Sequence, residues 1–244
     1  MNSPRLSFFL LVATLALGFA VSAHFIATAL VRMRQEHTIR VKGFAEQTVT
    51  SDIATWQGAF TVQAPKIEDA SAALANARDK VSAFLAAHHV PNSEITFSAI
   101  TTKPIMARDA KGQPTNEIQY YALSQTVGIT SADVQRVAIL AIRATDLIKD
   151  GVIMESDAPQ YIFTGLEKLK LDLLAQATRN GYTRARALAD NSGSHVGVLT
   201  SAEQGVFQIT PPYSTETLDD GAYDTSTIEK SVKAVITLEY AVEK

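Results

Sequence analysis

Ser194 and His195 stand side by side in "SGSHVG", between Gly193 and Gly197, where a hydroxyl and an imidazole invite an acyl-transfer reading and the glycines an anion-binding one. Both chemistries depend on the direction of the chain. An α/β-hydrolase nucleophile sits on a Gly-x-Ser-x-Gly turn leading from strand to helix, and a dinucleotide loop also leaves a strand and opens a helix. "ALADNSGSHVGVL", Ala187 to Leu199, runs the other way, from a helical pattern into an apolar strand. Backbone donors converge at helix N-termini, whereas carbonyls point out of a C-terminus. This loop is therefore expected to be a glycine-terminated helix end, with His195 near the negative pole of the dipole. A hydrolase built on Ser194 and His195 stays open as an alternative, because such partners are recognised by geometry and not by sequence order.

The other chemical residues are weaker. His88 and His89 are adjacent, so on a helix they point about 100° apart and cannot share a metal as residues four apart do. Asp219 and Asp220 pair two carboxylates within the polar stretch "TPPYSTETLDDGAYDTST", which reads as a mobile, solvated surface loop. His24 lies in an apolar run with no charged partner, and reads as a neutral histidine near an interface. No catalytic, cofactor-binding or metal-binding residue is assigned, and no cofactor is expected.

Composition narrows the classes further. The chain has 244 residues, a net charge of −3 and no cysteine. An acidic balance argues against a nucleic-acid binder, which needs cations to displace phosphate counterions. Without cysteine there is no disulfide framework, thiolate metal site or thiol nucleophile.

These residues are positioned by an alternation of strands and helices. Residues 35–50 and 52–64 alternate apolar and polar side chains, and predict two strands tightly connected through "TSD". A helix follows Pro65, with Ile67, Ala70, Leu74, Ala77, Val81 and Phe84 on one face, and stops at Pro91. Residues 94–104 and 117–130 predict a second strand pair. Residues 131–151 predict a helix with Thr130 and Asp133 at capping-box spacing, an apolar face through Val134, Val137, Ala141, Ala144 and Ile148, and Gly151 at its end. A long helix over 161–190 carries a second such box at Thr164 and Glu167. Its basic residues Lys168, Lys170, Arg179, Arg184 and Arg186 read as a solvated face. Gly181 in its middle costs about 1 kcal/mol relative to alanine, so the helix bends there or another backbone comes close. Strands over 195–209 and 230–242 complete one α+β domain, an antiparallel sheet with helices packed on one side.

Leu6 to Val31 contains no formally charged side chain. At 1.5 Å per residue this run can cross a bilayer core of about 30 Å. "VSA" at Val21–Ala23 matches a signal-peptidase site, so cleavage after Ala23 is one fate. Continuation through "FIATALV" to the interfacial pair Arg32 and Arg34 favours retention as a transmembrane anchor. Arg5 and the terminal amine nearly balance those arginines, so charge alone does not orient the segment.

Three stretches carry a family resemblance: "TIRVKGFAEQTVTSDIATWQGAFTV", "KLDLLAQATRNGYTRARALADNSGSHVGVLTSAEQG" and "SVKAVITLEYAV". In order and spacing they resemble the SIMPL-domain family of bacterial envelope proteins: an opening hairpin with a carboxylate at its turn, an alanine-rich helix ending in a glycine loop, and a terminal strand. Ser51–Asp52 replaces the frequent Pro-Asp at the first turn, and Gly181 interrupts the helix. The resemblance implies residues 1–5 in the cytoplasm, 6–31 across the inner membrane and an α+β domain over 38–244 in the periplasm. It further implies no established catalytic residue, a loose link to envelope stress and homo-oligomers among some members. The partners expected are thus the membrane, a second copy of the chain, and an envelope protein or ligand the sequence does not identify.

Overall fold

The computed structural model describes residues 4–34, 37–215 and 218–243, with the side chains of 13–28 described within the first helix. The fold is α+β, but the strands form two sheets where the sequence predicts one. By its contacts the chain divides into two compact units, one from Met1–Ala45, Leu174–Gly205 and Val235–Lys244, the other from Glu46–Leu173 and Val206–Ala234.

The second unit holds a six-stranded sheet: β2 (Ile53–Ala64), β3 (Ile95–Phe97), β4 (Thr101–Arg108), β5 (Pro114–Ser131), β6 (Ile153–Ser156) and β7 (Gln160–Ile162). All of its pairings are antiparallel. Alternate residues Ala54, Trp56 and Phe60 on β2 and Leu123, Val127 and Ile129 on β5 point to one buried face. Two helices, α2 (Ile67–Ala87) and α3 (Val134–Arg143), supply the opposing layer through Leu74, Val81, Leu85, Val137 and Leu140. Both period-two strands and period-3.6 helices thus deliver one apolar face to a common core. Trp56 donates its indole N–H to Ser156 Oγ at 3.0 Å, and that hydroxyl donates to the Ala141 carbonyl at 2.7 Å, so the buried ring has its polar partner.

Several boundaries differ from expectation for identifiable reasons. α3 gives way to a 3-10 helix over Ala144–Asp150, ending on Gly151 at φ 81°. With three residues per turn, Leu147 takes the buried position and Ile148 turns outward. Asp133 is the N-cap itself, accepting from the Arg136 N–H at 3.0 Å, and not the third residue of a box begun by Thr130. The long helix α4 runs Leu166–Asn191, because Gln160–Ile162 pairs as β7. Thr164 spends its hydroxyl on Asp52 Oδ2 at 2.6 Å.

The remaining sheet contains β1 (Thr38–Thr50), β8 (His195–Gln204), β9 (Gln208–Thr210), β10 (Ala222–Tyr223) and β11 (Glu229–Glu243). β11 pairs antiparallel with β9 through Ser231–Lys233 and with β8 through Ile236–Glu243, while β10 pairs parallel with β9. The expected single strand over 195–209 is broken at Gly205, whose N–H donates to the Val235 carbonyl at 3.0 Å.

Nor do β1 and β2 form the expected hairpin, since they belong to different sheets. The N–H of Ser51 donates to Ile228 O at 2.8 Å and that of Asp52 to Ile162 O at 3.0 Å, so the short connection is bonded to other segments and does not close on itself. Burial raises the Asp52 carboxyl, but the hydroxyl and N–H of Thr164 outweigh it and hold the group below its ordinary value.

In the first unit the glycine in α4 is explained by close approach. A Cβ on Gly43 of β1 would stand 2.0 Å from the Ala177 carbonyl oxygen and 2.9 Å from the Gly181 nitrogen. One on Gly181 would meet Leu238 Cδ1 at 2.6 Å and Gly43 Cα at 3.3 Å. Asn180 Oδ1 accepts from the Phe44 N–H at 3.1 Å and Arg184 donates to the Lys42 carbonyl at 3.2 Å, pinning the crossing on both sides. Ahead of it lies α1 (Pro4–Arg34). Among the described residues no helix is long and apolar enough to cross a membrane. The side chains at both ends of the 6–31 run, and residues 1–3, lie outside the described set.

Candidate functional site

The joint between α4 and β8 shows how the sequence ends the helix. Gly193 adopts φ 74°, a left-handed conformation that costs glycine no Cβ clash. Ser194 N–H donates to the Ala189 carbonyl at 3.0 Å and Gly193 N–H to the Asp190 carbonyl at 3.2 Å, the two bonds of a Schellman cap. Ser192 adds a side-chain bond to the Ala189 carbonyl at 2.9 Å. The Ala189 and Asp190 carbonyls near the helix end are thereby satisfied, as the chain direction predicts.

Around this cap an open cleft of about 560 Å³ is lined by Tyr182, Arg186, Asp190, Ser194, His195 and Val196. Asp190 is central: Arg186 Nε lies 3.4 Å from one carboxylate oxygen and His195 Nδ1 3.7 Å from the other. Tyr182 packs edge to face against Tyr240 at 5.7 Å, and burial, with Tyr182 beside it, pushes the Tyr240 phenol up. Asp190 and His195 thus place a carboxylate beside an imidazole, at a separation longer than the hydrogen bond that orients a triad's histidine. No hydrogen bond joins Ser194 Oγ to the ring, and the His195 side chain is 77% exposed, so no water-excluded general base is formed in this conformation. What the cleft presents is an aromatic wall beside a shared ionic group, suited to contact with a polar partner.

The remaining chemical residues lie elsewhere. His88 caps α2, its Nδ1 2.9 Å from the Phe84 carbonyl and its ring 4.3 Å from that of Phe84, while His89 takes the left-handed conformation at φ 58°. Both serve the helix end. Asp219 and Asp220 are exposed, and among the described residues no group of three or more His, Asp or Glu side chains is placed to hold a metal ion. His24 is on α1, its ring 6.4 Å from that of Phe25.

A more ordered cluster escaped the sequence reading. The stretch read as a mobile loop contains Asp224, whose carboxylate accepts from the N–H and hydroxyl groups of Ser226 and Thr227 and faces Lys230 Nζ at 3.3 Å. Lys230 is almost wholly buried and also donates to the Thr227 carbonyl at 2.6 Å. Burial pushes the Asp224 carboxyl up, but these hydrogen bonds and the Lys230 charge outweigh it and hold it far below the ordinary range. The one available signal was Asp-x-Ser-Thr, an Asx-type turn, just before a strand. Gln208 further ties the loop by two bonds to Leu218, at 2.7 and 3.2 Å.

Two mixed-layer units, a glycine-pinned helix crossing and a capped helix-to-strand joint define an α+β protein whose most chemical-looking loop is an architectural joint. The chain belongs to the SIMPL family, described as proteins of unknown function (DUF541), which it matches over residues 39–240. No curated protein matches it.

Proposed function

We propose that this chain is a membrane-anchored periplasmic protein, held in the bacterial inner membrane by residues 6–31, and that residues 38–244 act as a non-enzymatic binding or assembly module of the cell envelope, in a stress-related role. The observation that carries the reading is α1. Leu15, Leu17, Phe19, Val21, Phe25 and Ile26 are all exposed and fall on several sides of the helix, and a helix apolar all round needs lipid or protein about it. Family membership is that of proteins of unknown function and assigns no activity. Carbonate extraction of membranes tests the anchor: the full chain stays in the pellet, and its release would overturn the reading. An intact mass beginning after Ala23 would replace the anchor by a cleaved leader and a soluble periplasmic protein.

The Asp190–His195 contact favours one second reading, an envelope hydrolase using Ser194 and His195. A screen of ester and peptide substrates decides it, since equal rates for wild type and His195→Ala would end that reading.

A further inference from the structure

The cleft beside the α4 cap lies at the end of the first unit that the α1 segment enters. β1 begins at Thr38, four residues after α1 ends at Arg34. β11 runs beside β1, and its Val242 N–H donates to the His37 carbonyl at 2.8 Å. On the other edge of β11, Val242 and Glu243 pair with Val196 and His195 of β8. The start of β1, the end of β11 and the start of β8 therefore form one rim of this unit, and the cleft opens at that rim. A chain that leaves a bilayer at Arg34 holds the rim next to the lipid headgroups.

The polar groups that reach the cleft are unspent. Tyr182, Arg186 and Asp190 recur every four residues and so form one stripe of α4. Among the described residues, the Asp190 carboxylate has only its contacts with Arg186 and His195, at 3.4 and 3.7 Å, both longer than an ordinary N–H···O hydrogen bond. Asp109 and Asp224, by contrast, spend their carboxylates on the N–H groups of their own turns. A second carboxylate stands close by. A Cβ on Gly197 would lie 2.8 Å from Glu243 Oε1, so the glycine leaves that group room across the start of β8. The cleft thus combines a guanidinium, an imidazole, two carboxylates and the negative pole of α4. Such a set disfavours a purely anionic headgroup and matches one that carries both signs. Tyr182, 46% exposed, adds the kind of aromatic surface that is enriched where proteins meet the membrane interface.

We propose that this cleft binds the headgroup of a primary-amine phospholipid, of the phosphatidylethanolamine type, in the membrane that holds the anchor. Arg186, with the His195 N–H and the Ser194 hydroxyl, donates to the phosphate oxygens, while Asp190 and Glu243 accept from the ammonium. Phosphatidylcholine carries the same charges, but its methylated ammonium has no N–H to donate, and phosphatidylglycerol has no ammonium. The inference rests on the anchored reading above and adds the surface by which the domain lies on the lipid.

The absence of native cysteine allows a single probe to be placed beside the cleft. Full-length Val198→Cys, at a position on β8 that is 70% exposed, is labelled with an environment-sensitive fluorophore. The labelled chain is reconstituted in vesicles of phosphatidylcholine alone, with added phosphatidylethanolamine, or with added phosphatidylglycerol, each carrying a trace of lipid with a nitroxide on its headgroup. Quenching is stronger with phosphatidylethanolamine than in either other vesicle. Arg186→Gln and, independently, Asp190→Asn in the labelled chain return it to the phosphatidylcholine level, with far-UV circular dichroism unchanged. Equal quenching in the three vesicles, stronger quenching with phosphatidylglycerol, or variants that respond like the unsubstituted site would each overturn the proposal. Flotation of the same vesicles reports the anchor separately: a chain that does not float removes both readings, whereas one that floats with equal quenching removes this one alone.

Discussion

Replacing Gly43 by alanine tests the account of the α4 crossing. The added methyl would lie 2.0 Å from the Ala177 carbonyl oxygen and 2.9 Å from the Gly181 nitrogen, both backbone atoms that cannot swing aside. Helix and strand must separate, which also stretches the Asn180–Phe44 and Arg184–Lys42 hydrogen bonds. Overpacking of this kind costs about 1–3 kcal/mol, and two weakened hydrogen bonds add about 1 kcal/mol. A total near 3 kcal/mol corresponds to a fall in Tm of about 6–12 °C for a chain of this size. Gly181→Ala is the matched comparison. Its methyl meets the mobile end of Leu238 at 2.6 Å, and alanine returns about 1 kcal/mol of helix propensity. It should therefore lose clearly less stability than Gly43→Ala. Thermal melts of both full-length variants, followed by the helical signal at 222 nm, measure the difference. A Gly43→Ala melt within about 1 °C of wild type, far below the shift expected for such overpacking, would refute the close-approach explanation.

Further outcomes follow from the other ordered features. Asp224→Ala strands the buried Lys230 charge and should cost about 3–5 kcal/mol in urea unfolding. Because the folded-state values of Asp224 and Asp52 are depressed, their stabilisation is complete above the ordinary carboxylate value and is lost as pH falls through the folded values. Acid titration of Asp224→Ala should accordingly show a weaker loss of stability below about pH 4 than the wild type. Gly193→Ala puts a Cβ at φ 74° and should cost about 1 kcal/mol, read as fraying of the last turn of α4 by amide exchange. His195→Ala should leave the fold's melting temperature unchanged, since its ring is exposed and its ionic contact with Asp190 is a surface one.

The helix-to-strand order around Gly193 made that loop legible, because the direction of a helix dictates which backbone groups converge at its end. Gly181 was legible as an anomaly, and its partner Gly43 was not, since nothing local ties two glycines 138 positions apart. Periodicity placed the cores of α2, α3 and β5. It failed where a tertiary partner set the outcome: Ile148 turned outward in a 3-10 segment, and Ser51–Asp52 bonded to Ile228 and Ile162 instead of closing a hairpin. Short strands such as β7 and β10 carry too few residues for alternation to register. The Asp224–Lys230 pair hid in a stretch whose composition looks solvated, because burial of a lysine depends on which strand it enters. Of the cleft beside His195, the sequence disclosed the loop but not Tyr182 or Arg186, which reach it from two earlier turns of α4.

Between the last residue of α1, Arg34, and the first of β1, Thr38, the chain takes four Cα steps. Even fully stretched they reach only about 14 Å. With α1 seated in a bilayer, the domain is therefore confined to a thin slab above the lipid and cannot sweep the compartment on a tether. For a chain held in this way, encounters with other envelope proteins would be lateral and two-dimensional, governed by surface density in the membrane and not by bulk concentration.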